Sequence, residues 1–199
     1  MQNLHYPLHF LFKIFTPSND FIVSDADGRE IAYTRQKIFR IKEAVDVYEN
    51  SRREKIRYTF KADRIIDFNA EYTLRDEQNG HIIGKLKREG LRSFWRTSYI
   101  LKNAEGEAVL TIREKNPWIA FLDAIIADVP VINLFSGLFL NPSYGVADRQ
   151  GREIFCLKKT PSWMERKFQL EKHAETTPEE ETLVVLGLMM LMLQARKNG

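Results

Sequence analysis

Apolar and polar residues alternate with a period of two through much of the chain, and Asp, Asn and Gly break the alternation at short intervals. One phrase recurs four times. Phe21-Ile-Val-Ser-Asp25 is followed by Gly28 and Ile31, Tyr72-Thr-Leu-Arg-Asp76 by Gly80 and Ile83, Tyr99-Ile-Leu-Lys-Asn103 by Gly106 and Val109, and Tyr144-Gly-Val-Ala-Asp148 by Gly151 and Ile154. The aromatic residue and the aliphatic residue two positions on share one face of a strand. Asp or Asn then opens a turn by bonding its own downstream backbone, and Gly supplies the positive φ that the turn needs. Each phrase therefore predicts a β-hairpin.

Further strands are predicted over 10–15, 37–41, 94–100 and 167–171, and the segments 44–48 and 56–60 flank a charged turn to make another hairpin. The total reaches about ten to twelve short strands, and so many antiparallel strands close into a barrel or split into a sandwich. The copies are irregularly spaced, which excludes a solenoid or propeller.

The period changes near the C-terminus. Thr177, Pro178 and Glu180 form a helix start, with Thr177 as cap, Pro178 in the first turn and Glu180 closing a capping box. Three glutamates favour the positive end of the helix dipole, and Arg196 and Lys197 favour the other end. Between them the run LVVLGLMMLML is apolar all round, and a helix apolar on every face is buried on every face. In a mainly β protein the place that does this is the inside of a barrel. The expectation is one domain over 1–199, a closed antiparallel barrel of about 12 strands around a central hydrophobic C-terminal α-helix over 178–197. Gly187 lets the barrel wall approach that helix closely.

In these hairpin phrases, in the segment Gly84-Lys-Leu-Lys-Arg88 leading to Ser93-Phe-Trp95, in the stretch from Tyr144 to Lys158 and in the terminal apolar helix, the sequence resembles the tubby C-terminal-like superfamily, in its LURP-one-related and phospholipid scramblase-like branch. The resemblance runs from about Phe10 to Leu193 and implies the same barrel. Tubby-type members bind phosphoinositide headgroups through surface basic residues and act as membrane-tethered adaptors. Scramblase-type members add a palmitoylated cysteine-rich segment and a proposed calcium site. This chain carries a single cysteine, Cys156, and no acidic calcium motif beside its last helix, so the resemblance implies an adaptor without either feature.

Composition narrows the picture. In 199 residues, 30 basic side chains against 27 acidic ones leave a formal charge of +3, short of a dedicated nucleic-acid-binding domain. A lone cysteine excludes an internal disulfide framework and a Cys-based zinc site. No basic n-region precedes an apolar run at the start, which points to a cytoplasmic protein, peripheral at the membrane where it meets one. The apolar run over 183–193 falls short of the about 20 residues that span a bilayer. The longer stretch over 118–140 contains Asp123, Asp128 and Pro130.

No catalytic site and no cofactor is expected. Cys156 lies mid-strand as a buried, inert thiol, and neither a nucleophile elbow nor a phosphate loop is present. Asp25 and Asp27 resemble half a calcium loop, but the twelfth position is Gln36, so a hairpin turn is expected and no metal. His5 and His9 stand four apart with Pro7 between them and are expected to be solvated. The functional lead is basic. Lys85, Lys87, Arg88, Arg92 and Arg96, with Arg52, Arg53 and Lys55, are lipid-headgroup candidates for docking on an anionic phospholipid surface. Within the first group, Lys85 and Lys87 share one strand face, and Ile82, Gly84 and Leu86 the other. The alternative is a protein-interaction or homo-oligomerising module using the apolar 118–139 segment through Trp118, Phe121, Leu122, Ile125, Leu134 and Phe135.

Overall fold

The alternation resolves into paired strands. The structure is a computed structural model that describes residues 1, 3–13, 19–36, 44–63, 71–89, 98–115, 143–162 and 165–195. The strands are β1 (Leu8–Lys13), β2 (Asn19–Ser24), β3 (Glu30–Gln36), β4 (Ala44–Tyr48), β5 (Ile56–Ala62), β6 (Glu71–Asp76), β7 (Ile82–Glu89), β8 (Ser98–Lys102), β9 (Ala108–Glu114), β10 (Ser143–Ala147), β11 (Glu153–Thr160) and β12 (Glu165–Lys172). A single helix among the described residues, α1 (Pro178–Ala195), follows. Each strand pairs antiparallel with its sequence neighbours, and β1 pairs with both β2 and β12 to close the barrel. β3 and β4 are joined by the Tyr33–Tyr48 pair alone among the described residues. The strand expected over 37–41, the start of the one expected over 94–100, and Arg196 and Lys197 lie outside the described residues.

The helix begins as its sequence requires. Glu180 N donates to Thr177 Oγ1 at 3.2 Å, and Thr177 N donates to Glu180 Oε2 at 2.9 Å. Residues 183–186 and 188–193 are all buried, against inward residues such as Phe10, Phe60, Leu86, Leu101 and Leu157. The helix fills the lumen. Two glycines set how closely it does so. A Cβ on Gly187 would come within 2.6 Å of the Leu101 side chain, and one on Gly84 would meet the Lys102 carbonyl oxygen at 2.2 Å and Leu183 at 2.9 Å. No helix among the described residues is long and apolar enough to cross a membrane.

The four phrases share a turn geometry. Gly28, Gly80, Gly106 and Gly151 all have positive φ. Each phrase also carries a register shift that inserts one residue into the returning strand, and the inserted residue is the last aliphatic of the phrase: Ile31, Ile83, Val109 or Ile154. A bulge residue of this kind adds an apolar side chain to one face without a cross-strand partner. All four pack against the core near the barrel mouth. The β4–β5 hairpin has the same shift, but its inserted residue is Arg57. The bulges correct the simple alternation expected for β7. Gly84 and Leu86 face the lumen, whereas the shift at Ile83 leaves Ile82 exposed and opposite the outward Arg75.

The turn carboxylates point inward. Asp25 is buried, and its Oδ1 accepts from Arg29 N at 2.9 Å and from Asp27 N at 3.2 Å, while Oδ2 accepts from Arg29 Nε at 2.9 Å. Burial alone would raise the Asp25 pKa, but the backbone and guanidinium bonds from Arg29 outweigh it and hold the pKa below the ordinary carboxylate value.

Gly84→Ala is expected to destabilise the protein by about 1–3 kcal/mol in urea denaturation, because the clash is with backbone. Gly187→Ala is expected to cost less, since the Leu101 tip can move and Ala favours helix by about 1 kcal/mol. Because the folded pKa of Asp25 lies below its unfolded one, its stabilisation is complete above the unfolded pKa of about 4 and is lost as pH falls through the folded value. The stability gap between wild type and Asp25→Asn should therefore be full at neutral pH and close in acid, measured as urea midpoints across a pH series.

Candidate functional site

Strand parity places every second side chain of β5–β9 on the outer wall, since the residues between them form the core. The charged residues on this outer face are Lys61, Arg75, Lys85, Lys87, Lys102 and Arg113, against Glu71 and Glu89. The register sets their places on one face. Lys61 lies opposite Thr73, Thr73 opposite Lys85, and Lys85 opposite Lys102. Glu71 lies opposite Lys87, and Arg113 pairs with Ser98, which pairs with Glu89.

Only part of this charge is neutralised locally. Glu71 accepts from Lys85 Nζ at 3.0 Å and from Lys102 Nζ at 2.6 Å. Burial alone would raise the Glu71 pKa, but the bonds from Lys102 and Lys85 outweigh it and hold the carboxyl low. Lys61, Arg75, Lys87 and Arg113 make no ion pair among the described residues. The opposite side of the barrel differs. There Lys158 pairs with Glu171 at 2.7 Å, Lys167 with Glu165 at 3.2 Å and Arg35 with Asp20 at 3.2 Å.

The structure divides the candidate residues. Lys85 and Lys87 stand on the basic wall. Arg88 does not: it has the parity of Leu86 and lies opposite the inward Tyr99, so it belongs to the lumen side. Arg52, Arg53 and Lys55 are exposed on the β4–β5 turn at the barrel mouth, with Arg52 Nε 3.9 Å from Glu54. Lys87 is five residues down β7 from that end, about 16 Å at the strand rise. Arg92 and Arg96, and the apolar candidates Trp118, Phe121, Leu122, Ile125, Leu134 and Phe135, lie outside the described residues. Sequence reasoning missed Lys61, Arg75, Lys102 and Arg113. Each was legible as an outward position within its own hairpin, but only the pairing of successive hairpins makes them one surface.

A cleft of about 930 Å³ opens at the barrel mouth between the turns and the start of α1. Its floor holds the pair Arg57 Nη1 to Asp76 Oδ1 at 2.5 Å, with the Arg57 guanidinium 4.9 Å from the centre of the Tyr58 ring. The Met1 amino group donates to Thr182 Oγ1 at 2.6 Å and to Tyr58 Oη at 3.1 Å. Glu30, Glu49, Glu105 and Glu179 line the same cleft, so anions are better placed on the side wall than in the mouth.

Other chemistry is sparse. Cys156 is buried, yet it stands on the outward side of β11 opposite Gly145, in contact with Lys115. His5 pairs with Asp27 through Nδ1, and His9 is exposed on β1. No cluster of His, Cys, Asp and Glu among the described residues has the arrangement of a metal site. No protein-family model matches the chain, and no curated protein and no solved structure matches it either.

The mouth yields a prediction about stability. Arg57→Met should strand the buried Asp76 carboxylate and cost about 3–5 kcal/mol, whereas Lys87→Met, at an exposed cation without an ion pair among the described residues, should change stability by less than about 0.5 kcal/mol. Thermal denaturation of the two variants checks both.

Proposed function

We propose that the protein is a non-catalytic adaptor of the tubby-like kind that docks on anionic phospholipid surfaces through the outer wall of β5–β9. The observation that carries this is the set of four wall cations, Lys61, Arg75, Lys87 and Arg113, without an ion pair among the described residues. Cations paired one to one present little field beyond their own neighbourhood, whereas unpaired cations on one face of a rigid sheet add their potentials. Each basic side chain near an anionic leaflet contributes about 1 kcal/mol, within a Debye length of about 8–10 Å. The wall is rigid because its strands are hydrogen-bonded on both sides and packed on the helix behind it, so docking orders little that is not already ordered. A convex sheet face suits a broad membrane surface better than a small soluble ligand, which is bound in a concavity.

The test is co-sedimentation with phosphatidylcholine vesicles with and without phosphatidylglycerol, at low and physiological salt. Wild type should sediment with the anionic vesicles and lose binding as salt rises. The triple variant Lys61→Glu, Lys87→Glu, Arg113→Glu should lose about a hundredfold or more in affinity, from about 1 kcal/mol per cation removed. Reversal of Lys158 and Lys167 on the opposite side should have little effect. Equal binding by the wall variant and the control would overturn the proposal.

A further inference from the structure

We infer that Glu71 is a built-in competitor for the anionic group that the wall binds, an inference that rests on the membrane-docking proposal above. Glu71, Lys85 and Lys102 come from three adjacent strands, β6, β7 and β8. The carboxylate gives one oxygen to each lysine, at 3.0 Å to Lys85 Nζ and 2.6 Å to Lys102 Nζ. All three side chains are at most one-third exposed, so the two ammonium groups are held in place around a two-oxygen anion. A phosphodiester of a lipid headgroup presents the same pair of charged oxygens as a carboxylate, and charge-assisted bonds from ammonium to either are of similar strength. In the free protein Glu71 occupies this clamp. Burial alone would raise the Glu71 pKa, but the bonds from Lys102 and Lys85 outweigh it and hold the pKa below the ordinary carboxylate value.

Docking on this wall then has two parts. Lys61, Arg75, Lys87 and Arg113, without an ion pair among the described residues, attract the surface at long range. Lys85 and Lys102 contribute only when a headgroup phosphate replaces Glu71. The carboxylate, on the outer face, swings into water as the phosphate enters. Glu71 thereby lowers affinity and makes the docked state sensitive to how many phosphates are close enough to displace it.

The alternative role is a cross-strand ion pair that only stabilises the barrel. The two are separated by vesicle co-sedimentation with wild type, Glu71→Gln and Glu89→Gln, using phosphatidylcholine with one-fifth phosphatidylglycerol and a thermal melt of each variant. Glu89 lies on the same wall and makes no ion pair among the described residues, so both variants add the same net charge and only one frees two lysines. Glu71→Gln is expected to tighten binding about tenfold with a steeper salt dependence, and Glu89→Gln about twofold. Equal gains in both variants would assign the effect to net charge and overturn the inference. So would unchanged or weaker binding by Glu71→Gln while wild type binds. Binding by Glu71→Gln where wild type fails would support the competitor role. Failure of all three to bind would sink the docking proposal itself, and the inference with it. Should Glu71→Gln melt too early to assay, Glu71→Asp keeps the charge but is too short to reach both lysines, and it should show an intermediate gain.

Discussion

A helix whose side chains are apolar on every face has no stable position at a surface, and everything else in this fold is arranged around that constraint. Residues 183–186 and 188–193 of α1 are buried, and the barrel encloses them without leaving a free sheet edge. The closeness of the fit is set on one side, where Gly84 of β7 admits Leu183 and Gly187 of the helix admits Leu101 of β8. The outer wall built on β5–β9 is thus also the wall that bears directly on the helix. Its cations are held by a scaffold whose rear face cannot move without opening the core.

The barrel mouth solves a related problem. A cylinder of strands has an open end, and its upper layer must be sealed where the helix enters. The inserted residues Ile31, Ile83, Val109 and Ile154 provide apolar cover at four turns, and the inward carboxylates are met by turn N–H groups and by arginines. At the fifth turn Arg57 takes the aliphatic position and is neutralised by Asp76 from the next hairpin. Charge at the mouth is largely consumed in holding the structure together. On the β5–β9 wall only Lys85 and Lys102 are so consumed among the described residues, and this asymmetry singles that surface out.

The hairpins, the capped helix and the closure of the barrel were legible in the sequence because each follows from local chemistry: a period of two, an Asp or Asn with a Gly in the turn, and an apolar run with no polar face. The same local logic misjudged positions where a single residue breaks the period. The bulge at Ile83 turns Ile82 outward, and nothing in the spacing of apolar residues marks that shift. Arg88 adjoins Lys87 in sequence but lies on the opposite face of the strand, because neighbours along a strand alternate.

The sequence by itself therefore determined which segments are strands, where they turn, and that the last helix must be enclosed. Only the tertiary structure decided which charges act together. Lys61, Arg75, Lys102 and Arg113 are scattered along the chain and come onto one face with Lys85 and Lys87 through strand pairing, Lys102 directly opposite Lys85. The same pairing brings Glu71 between Lys85 and Lys102 and leaves the other four cations without a partner among the described residues. The physical reason is that a hairpin's pattern is encoded over a few adjacent residues, whereas a surface potential sums over strands brought side by side by the closure of the barrel.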